Sequence, residues 1–517
     1  MPPHEEAHNA AFEPEEGASS PPAASEVADR SPEVADSPPE VASKKPDPMS
    51  LEEAQNHVAT SAGKFERRER WKILKNVVAI SFAFMCLFTS FQGISNLQSS
   101  INSEGGVGTM SQAAVYLALI LSCLFLPSLV IKRLTCKWTM VVCTLLYSVY
   151  LAAQFYPRPF TMIPGAIVLG LAAAPMWSAK CTYLTQVGRI HAEIIGEDSE
   201  PVIVKFFGIF FLFFQSAQIW GNLISSLVLS PGGKQLEAVP SEESLAICGI
   251  NYCPGIESAS NNTNLERPPE SQIYTMAGIF LALAVACSGF IALTLDKLDR
   301  YGEKERASAD TPPLQLLLAT FTHMKKPYQL LVIPLTMWSG FEQAFIMADF
   351  SKAFVSCAWG IHRVGLVFIV YGIVDSICSF SFGFIIKRVG RVPLFLVAAA
   401  LNYGALAAFH HWLPRPDEAL GFFLVAAAWG AADAVWQTQI NALYGVIFPD
   451  TAEAAFSNYR LWESLGYAIA FINAELLCLR HKVDLLIAVL TVGMIGYLVI
   501  ELLERRRARG SLKVSKE

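Results

Sequence analysis

Charge is what this sequence has least of. Only 16% of its 517 residues are Asp, Glu, Lys or Arg, while 53% are hydrophobic and mean hydropathy is +0.39. Soluble domains carry about 25% charged residues, so a water-soluble globular chain is excluded. No phosphate-cradling glycine loop, nucleophile elbow or paired zinc spacing occurs in the sequence. The usual grounds for enzymatic activity, a cofactor or a metal are therefore missing. The adjacent His410 and His411 do not alone make a metal site. A cleavable leader is not expected either, because the first 75 residues are polar and the first apolar run serves as the insertion signal. The formal net charge of -6 is uneven. Residues 1–63 hold 13 acidic and 3 basic side chains, so residues 64–517 are net basic by +4.

What the sequence has in quantity is long apolar runs. Twelve fall at about 76–95, 112–131, 138–156, 161–183, 204–229, 273–295, 328–349, 362–386, 392–412, 419–447, 454–478 and 484–503. A bilayer core about 30 Å thick needs roughly 20 apolar residues to be crossed as a helix. Only self-satisfied backbone survives there, so an all-α integral membrane protein with twelve transmembrane helices is expected. Its expected parts are a disordered acidic tail (1–63), a six-helix bundle (64–295), a charged linker (296–327), a second six-helix bundle (328–503) and a basic tail (504–517). The tail is rich in Pro, Glu, Ala and Ser, and Pro32, Pro38 and Pro39 interrupt its Glu-Val-Ala repeat. Ser-Pro pairs at Ser20, Ser31 and Ser37 are phosphorylation candidates.

Basic residues set the orientation. Lys64 to Lys75, Lys132, Arg133, Lys137, Lys387, Arg388, Arg391 and Arg505 to Arg509 collect on one side, which places both termini in the cytoplasm. The 230–271 loop then lies outside. It carries the sequon Asn261-Asn262-Thr263, so Asn261 is a glycosylation candidate. The same loop holds Cys248 and Cys253, for which a mutual disulfide is the expected state in an oxidising compartment. Most of the other cysteines fall in apolar spans and read as small buried hydrophobes.

The two halves echo each other. Ile131-Lys132-Arg133-Leu134-Thr135 after span 2 matches Ile386-Lys387-Arg388-Val389-Gly390 after span 8. Such duplication is a mark of transporters built from parallel repeats.

Acids inside spans are costly. Glu342, Asp375 and Asp433 would cost on the order of 8–10 kcal/mol together if all faced lipid, so an interior seam is expected to hold them. Asp433, Gln437 and Asn441 share one face of span 10, and Gln215, Gln218, Asn222 and Ser225 recur along span 5. Two readings stay open for these stripes: a wet cavity that binds a proton or cation, or hydrogen bonds that join helices. Arg460 and Glu463 are expected to pair with each other. Lys180 is expected to snorkel to the headgroups, and Trp177, Trp436 and Trp462 to anchor at the interface.

Longer words carry a family resemblance. Gly383 to Arg391 resembles the switching loop of the major facilitator superfamily, G-x-x-x-D-R-x-G-R, with Lys387 at the usual acid. Ala174-Pro-Met-Trp177-Ser-Ala-Lys180-Cys-Thr-Tyr183, Trp220-Gly-Asn222-Leu-Ile-Ser-Ser226, Asp433-Ala-Val-Trp436-Gln-Thr-Gln439 and Asn458-Tyr459-Arg460-Leu-Trp462-Glu463 resemble the uncoordinated-93-like family, closest to its vertebrate A branch. The resemblance implies a major facilitator-like fold and an accessory subunit of a two-pore-type potassium channel or of a membrane receptor. A proton- or cation-coupled carrier of a small organic solute is the alternative. Plasma membrane is the expected location and endolysosomal membrane the second. Lipid is an expected partner and nucleic acid is not.

Overall fold

A computed structural model describes residues 51–230, 241–255, 262–298, 320–448 and 451–514. Asn261, the three Ser-Pro serines and residues 1–50 lie outside the described residues, as does the side chain of Lys387. Among the described residues there is no strand. Eleven helices among the described residues are long and apolar enough to cross a membrane. The twelfth, Ala452–Leu476, carries Arg460, Glu463 and Glu475 and is less apolar, yet it packs inside the bundle. The chain is therefore an all-α protein of twelve spanning helices.

In order these are α1 (Leu51–Ser95), α2 and α3 (the two arms of Val107–Ala153), α4 (Pro159–Ile195), α5 (Ser199–Leu229) and α6 (Glu270–Thr294). Then follow α7 (Pro327–Phe345, continued through Ile346–Ser356 and Cys357–Trp359), α8 (Ile361–Val389) and α9 (Arg391–His411). The last are α10 (Ala419–Ile447), α11 (Ala452–Leu476) and α12 (Leu479–Val514). Proline opens α4 and α7, where its missing N–H has no partner to lose. Residues 51–63 belong to α1 rather than to a disordered tail. Beyond Pro48 no breaker occurs before Gly63, so the helix runs on toward the N-terminus.

The repeat seen in the sequence is also a repeat of backbone geometry. α2 turns into α3 at Thr135, with φ 66° and ψ 161°. α8 turns into α9 at the matched Gly390, with φ 80° and ψ 172°. Glycine adopts such a conformation freely, whereas a β-branched threonine is strained there. Thr135 is the one non-glycine residue with positive φ among the described residues.

The halves meet along α2–α11 and α5–α8. In the first interface Tyr116 stacks on Tyr467, with ring centroids 4.0 Å apart. Within the second half α7 and α11 approach through two glycines. A Cβ on Gly340 would stand 2.0 Å from the Glu463 carbonyl oxygen, and one on Gly466 would stand 2.2 Å from that of Met337.

The α5–α6 loop belongs by its contacts to the second half, although sequence order puts it in the first. Cys248 is bonded to Cys357 at the end of α7, and Cys253 to Cys478 at the α11–α12 junction. The expected Cys248–Cys253 bond is thus corrected. A helical turn, Gly249–Asn251, separates the two cysteines, and the chain end beneath each supplies the partner. Leu479 N donates to Tyr252 O at 2.9 Å. Asn262 Nδ2 donates to Cys357 O at 3.0 Å and Asn264 Nδ2 to Ala358 O at 3.1 Å. Gly249 lies against Trp412 and Pro414 in the α9–α10 junction. One loop therefore staples the three hairpin ends of the second half. Beside it, Ser99 and Ser100 of the short helix Gln98–Ile101 hydrogen-bond to Ser351 and Ser356 of α7, at 3.1 and 2.9 Å. Both ends of that contact are buried.

Candidate functional site

The three acids come together inside the second half. Glu342 (α7), Asp375 (α8) and Asp433 (α10) are 0%, 2% and 3% exposed. None faces lipid, which removes the insertion cost that a bilayer-facing carboxylate would carry. Asp433 accepts from Gln343 Nε2 at 2.9 Å on Oδ1 and from the Tyr371 hydroxyl at 2.5 Å on Oδ2. Glu342 Oε2 accepts from Trp429 Nε1. Asp375 accepts from Ser379 on Oδ1 at 3.2 Å and from Gln215 Nε2 on Oδ2 at 2.9 Å. Gln215 stands on α5, so that last bond joins the two halves. Gln343 in turn accepts from the Tyr467 hydroxyl of α11. Polar contacts thus reach Asp375 from α5, and Asp433 from α8 and, through Gln343, from α11.

The polar stripes divide between the two readings that the sequence left open. On α5 only Gln215 reaches the acids. Gln218 and Asn222 instead bind Asn96, in the turn just after α1: Asn96 Nδ2 lies 3.0 Å from Gln218 Oε1 and 3.0 Å from Asn222 Oδ1. Ser225 donates to the Gly93 carbonyl. These three residues join α5 to α1 and the turn that follows it. On α10, Gln437 donates to Ser339 Oγ of α7 at 3.0 Å, and Asn441 to the Tyr459 hydroxyl of α11 at 3.2 Å. Asp433 is the member of that stripe that reaches the acids.

The first half has rings where the second has carboxyls. Phe84 and Phe88 of α1, Tyr147 of α3, Trp177 of α4, and Phe210 and Phe214 of α5 form one aromatic cluster, with centroids 4.8–6.2 Å apart. Lys180 does not snorkel. It is 1% exposed, and its Nζ lies 4.2–5.4 Å from the ring centres of Trp177, Phe207, Phe210 and Phe211. Ring faces stabilise a cation, and the phenylalanines of α5 that provide them read from the sequence as plain apolar filler. Arg460 Nη1 lies 2.7 Å from Glu463 Oε2, and its guanidinium sits 5.9 Å from the Trp177 ring centre across the seam. Trp436 is fully buried, its Nε1 donating to Asn402 at 2.8 Å, so it does not anchor at an interface.

One charged group was not visible in the sequence as a unit. Asp349 and Lys352 lie in the π-helical stretch Ile346–Ser356 and are buried, while Lys482 opens α12. Lys482 Nζ is 2.7 Å from Asp349 Oδ1 and 2.8 Å from the Ala474 carbonyl. π-Helical turns are rare and gather at functional or strained sites. By sequence position Lys352 and Lys482 fall in the joints between apolar runs, and the loop that lies near them is distant in sequence. Among the described residues no group of three His, Cys, Asp or Glu is arranged to hold a metal ion.

A family model described as "Ion channel regulatory protein UNC-93" matches residues 98–498, which include the acids, the Lys180 cage and the stapled hairpins. The chain belongs to the UNC-93 family. Protein unc-93 homolog A of Xenopus laevis is 43% identical over 437 residues, covering 84% of this chain and 94% of that protein. The "Putative potassium channel regulatory protein unc-93" of Caenorhabditis elegans is 35% identical over 433 residues, 83% of this chain and 61% of that protein. Among solved structures, the nucleoside transporter NupG superposes with a TM-score of 0.57 at 16% identity, covering 83% of this chain and 99% of that one. At that identity the likeness concerns fold alone, and the fold of this UNC-93 chain is that of major facilitator transporters.

Proposed function

We propose that this chain is an accessory subunit of a membrane channel, with a potassium channel the first partner to test. The observation that carries the reading is the match to the channel-regulator family over residues 98–498. It is supported by the nematode relative, whose name assigns it to potassium channels. Lysine in place of acid in the Gly383–Arg391 loop, and the loop staple over the second half, are features expected of a scaffold kept for partnering. The proposed setting is the plasma membrane, with both termini cytoplasmic and the stapling loop outside, where an oxidising medium maintains its disulfides. Detergent extracts of cells expressing the chain with individual potassium channels provide the test. Co-purification with at least one channel is expected, and failure with every channel tried would count against the reading.

A second reading draws on the three buried carboxyls and the transporter fold: a proton- or cation-coupled carrier of a small organic solute. Gradient-driven uptake by the purified chain in liposomes would favour it. Uptake that persisted in the combined variant E342Q/D375N/D433N would show that these acids do not couple it.

A further inference from the structure

Three buried acids need positive charge, and the described residues offer none nearby. The ion pairs among the described residues involve other carboxylates, Asp349, Glu463 and Glu501 among them, and none of these pairs includes Glu342, Asp375 or Asp433. Their six carboxyl oxygens can be followed one by one. Five accept a hydrogen bond from a neutral donor: Trp429, Gln343, Tyr371, Gln215 or Ser379. The sixth, Glu342 Oε1, is buried and receives no N–H or O–H. Yet Glu342 and Asp433 are neighbours: Trp429, the donor to Glu342, stands one helical turn from Asp433 on α10, and Gln343, next to Glu342 on α7, donates to Asp433. An ionised carboxylate only accepts, so two neighbouring carboxyl groups with no donor between them need a hydrogen on one of them. Like charges side by side in a dry interior do not both persist.

We propose that Glu342 carries a proton on Oε1 and donates it to Asp433, so that this pair is a proton-binding site within the second half. The donors settle which residue holds the hydrogen. Both oxygens of Asp433 already accept from Gln343 and Tyr371, which stabilises it as the anion. Glu342 has one donor only, on Oε2, and that leaves Oε1 free to be the O–H. The other titratable groups facing the pair are Asp375 and Tyr371 on α8 and Tyr467 on α11. Asp375 is the third acid and is bonded to Gln215 of the first half. Charge on the pair is therefore sensed at the seam between the halves. The proposal does not depend on whether the chain regulates a channel or moves a solute.

Infrared difference spectroscopy of the purified full-length protein in lipid nanodiscs tests it. At neutral pH a carboxylic-acid C=O band that shifts in D2O is expected, lost in E342Q and displaced in D433N. If E342Q fails to fold, the wild-type band and its displacement in D433N carry the test. Absence of the band, or a band unchanged in both variants, would overturn the proposal. Loss of the wild-type band on adding sodium or potassium at constant pH would also overturn it, by making a metal cation the occupant.

Discussion

Lys482→Met isolates the energetics of the buried ion pair. Lys482 and Asp349 are 3% and 8% exposed at the side chain, with 2.7 Å between Nζ and Oδ1. At an effective dielectric of 20, two unit charges at that separation attract by about 6 kcal/mol. Removing both charges from water costs several kcal/mol per ion, so the intact pair is close to neutral for stability. Deleting one partner is not neutral. Methionine keeps most of the lysine stem, removes the charge, and leaves Asp349 buried with Lys352 as the remaining nearby cation. A loss of about 3–5 kcal/mol is expected, read as lowered unfolding resistance of the detergent-solubilised protein in a thermal or denaturant series. The double variant K482M/D349L should recover most of the loss, because neither member of the pair is left as a buried charge without the other. Burial also makes the K482M loss nearly independent of salt, whereas a surface pair would be screened. A K482M loss under about 1 kcal/mol would refute the reasoning, as would a double variant weaker than the single one.

Other outcomes follow from the same geometry. Thr135→Gly should stabilise the protein by about 1–3 kcal/mol by relieving a positive-φ threonine, measured as a raised midpoint of thermal unfolding; an unchanged or lowered midpoint would show that the turn is unstrained. Gly340→Ala should cost about 1–3 kcal/mol or more, since its methyl group would stand 2.0 Å from the Glu463 carbonyl oxygen and α7 and α11 must part to admit it. Gly404→Ala, with nothing within 4 Å of its Cβ, is the control and should elute from size exclusion as wild type does. With a protease site placed between residues 299 and 319, the cleaved halves should run together on a non-reducing gel and separate on reduction. Separation without reductant would contradict the Cys248–Cys357 and Cys253–Cys478 pairing.

The sequence disclosed the frame more fully than the contacts. Long apolar runs meet a bilayer condition that few structures satisfy, so twelve helices could be read directly, including the polar α11. The cost of a carboxylate in lipid was enough to turn Glu342, Asp375 and Asp433 inward, and the matched Lys-Arg words marked the repeat that Thr135 and Gly390 express in backbone angles. What stayed hidden depends on which loop lies over which hairpin. Cys248 and Cys253 are five residues apart, but their partners are 109 and 225 residues away. No local pattern carries such a pairing. The same blindness left Asp349 and Lys482 unpaired in the sequence reading, since they meet over 133 residues beneath the loop. Lys180 shows a different limit: its aromatic cage is made by helical neighbours on α4 and α5 whose rings look like ordinary lipid-facing residues until the helices pack.

Channel regulation is tested most directly by reconstitution. The purified chain and a co-purifying potassium channel, placed together in planar bilayers, should give open probability or current amplitude different from the channel alone. Identical currents at verified equal channel density, for every channel that binds, would contradict the account.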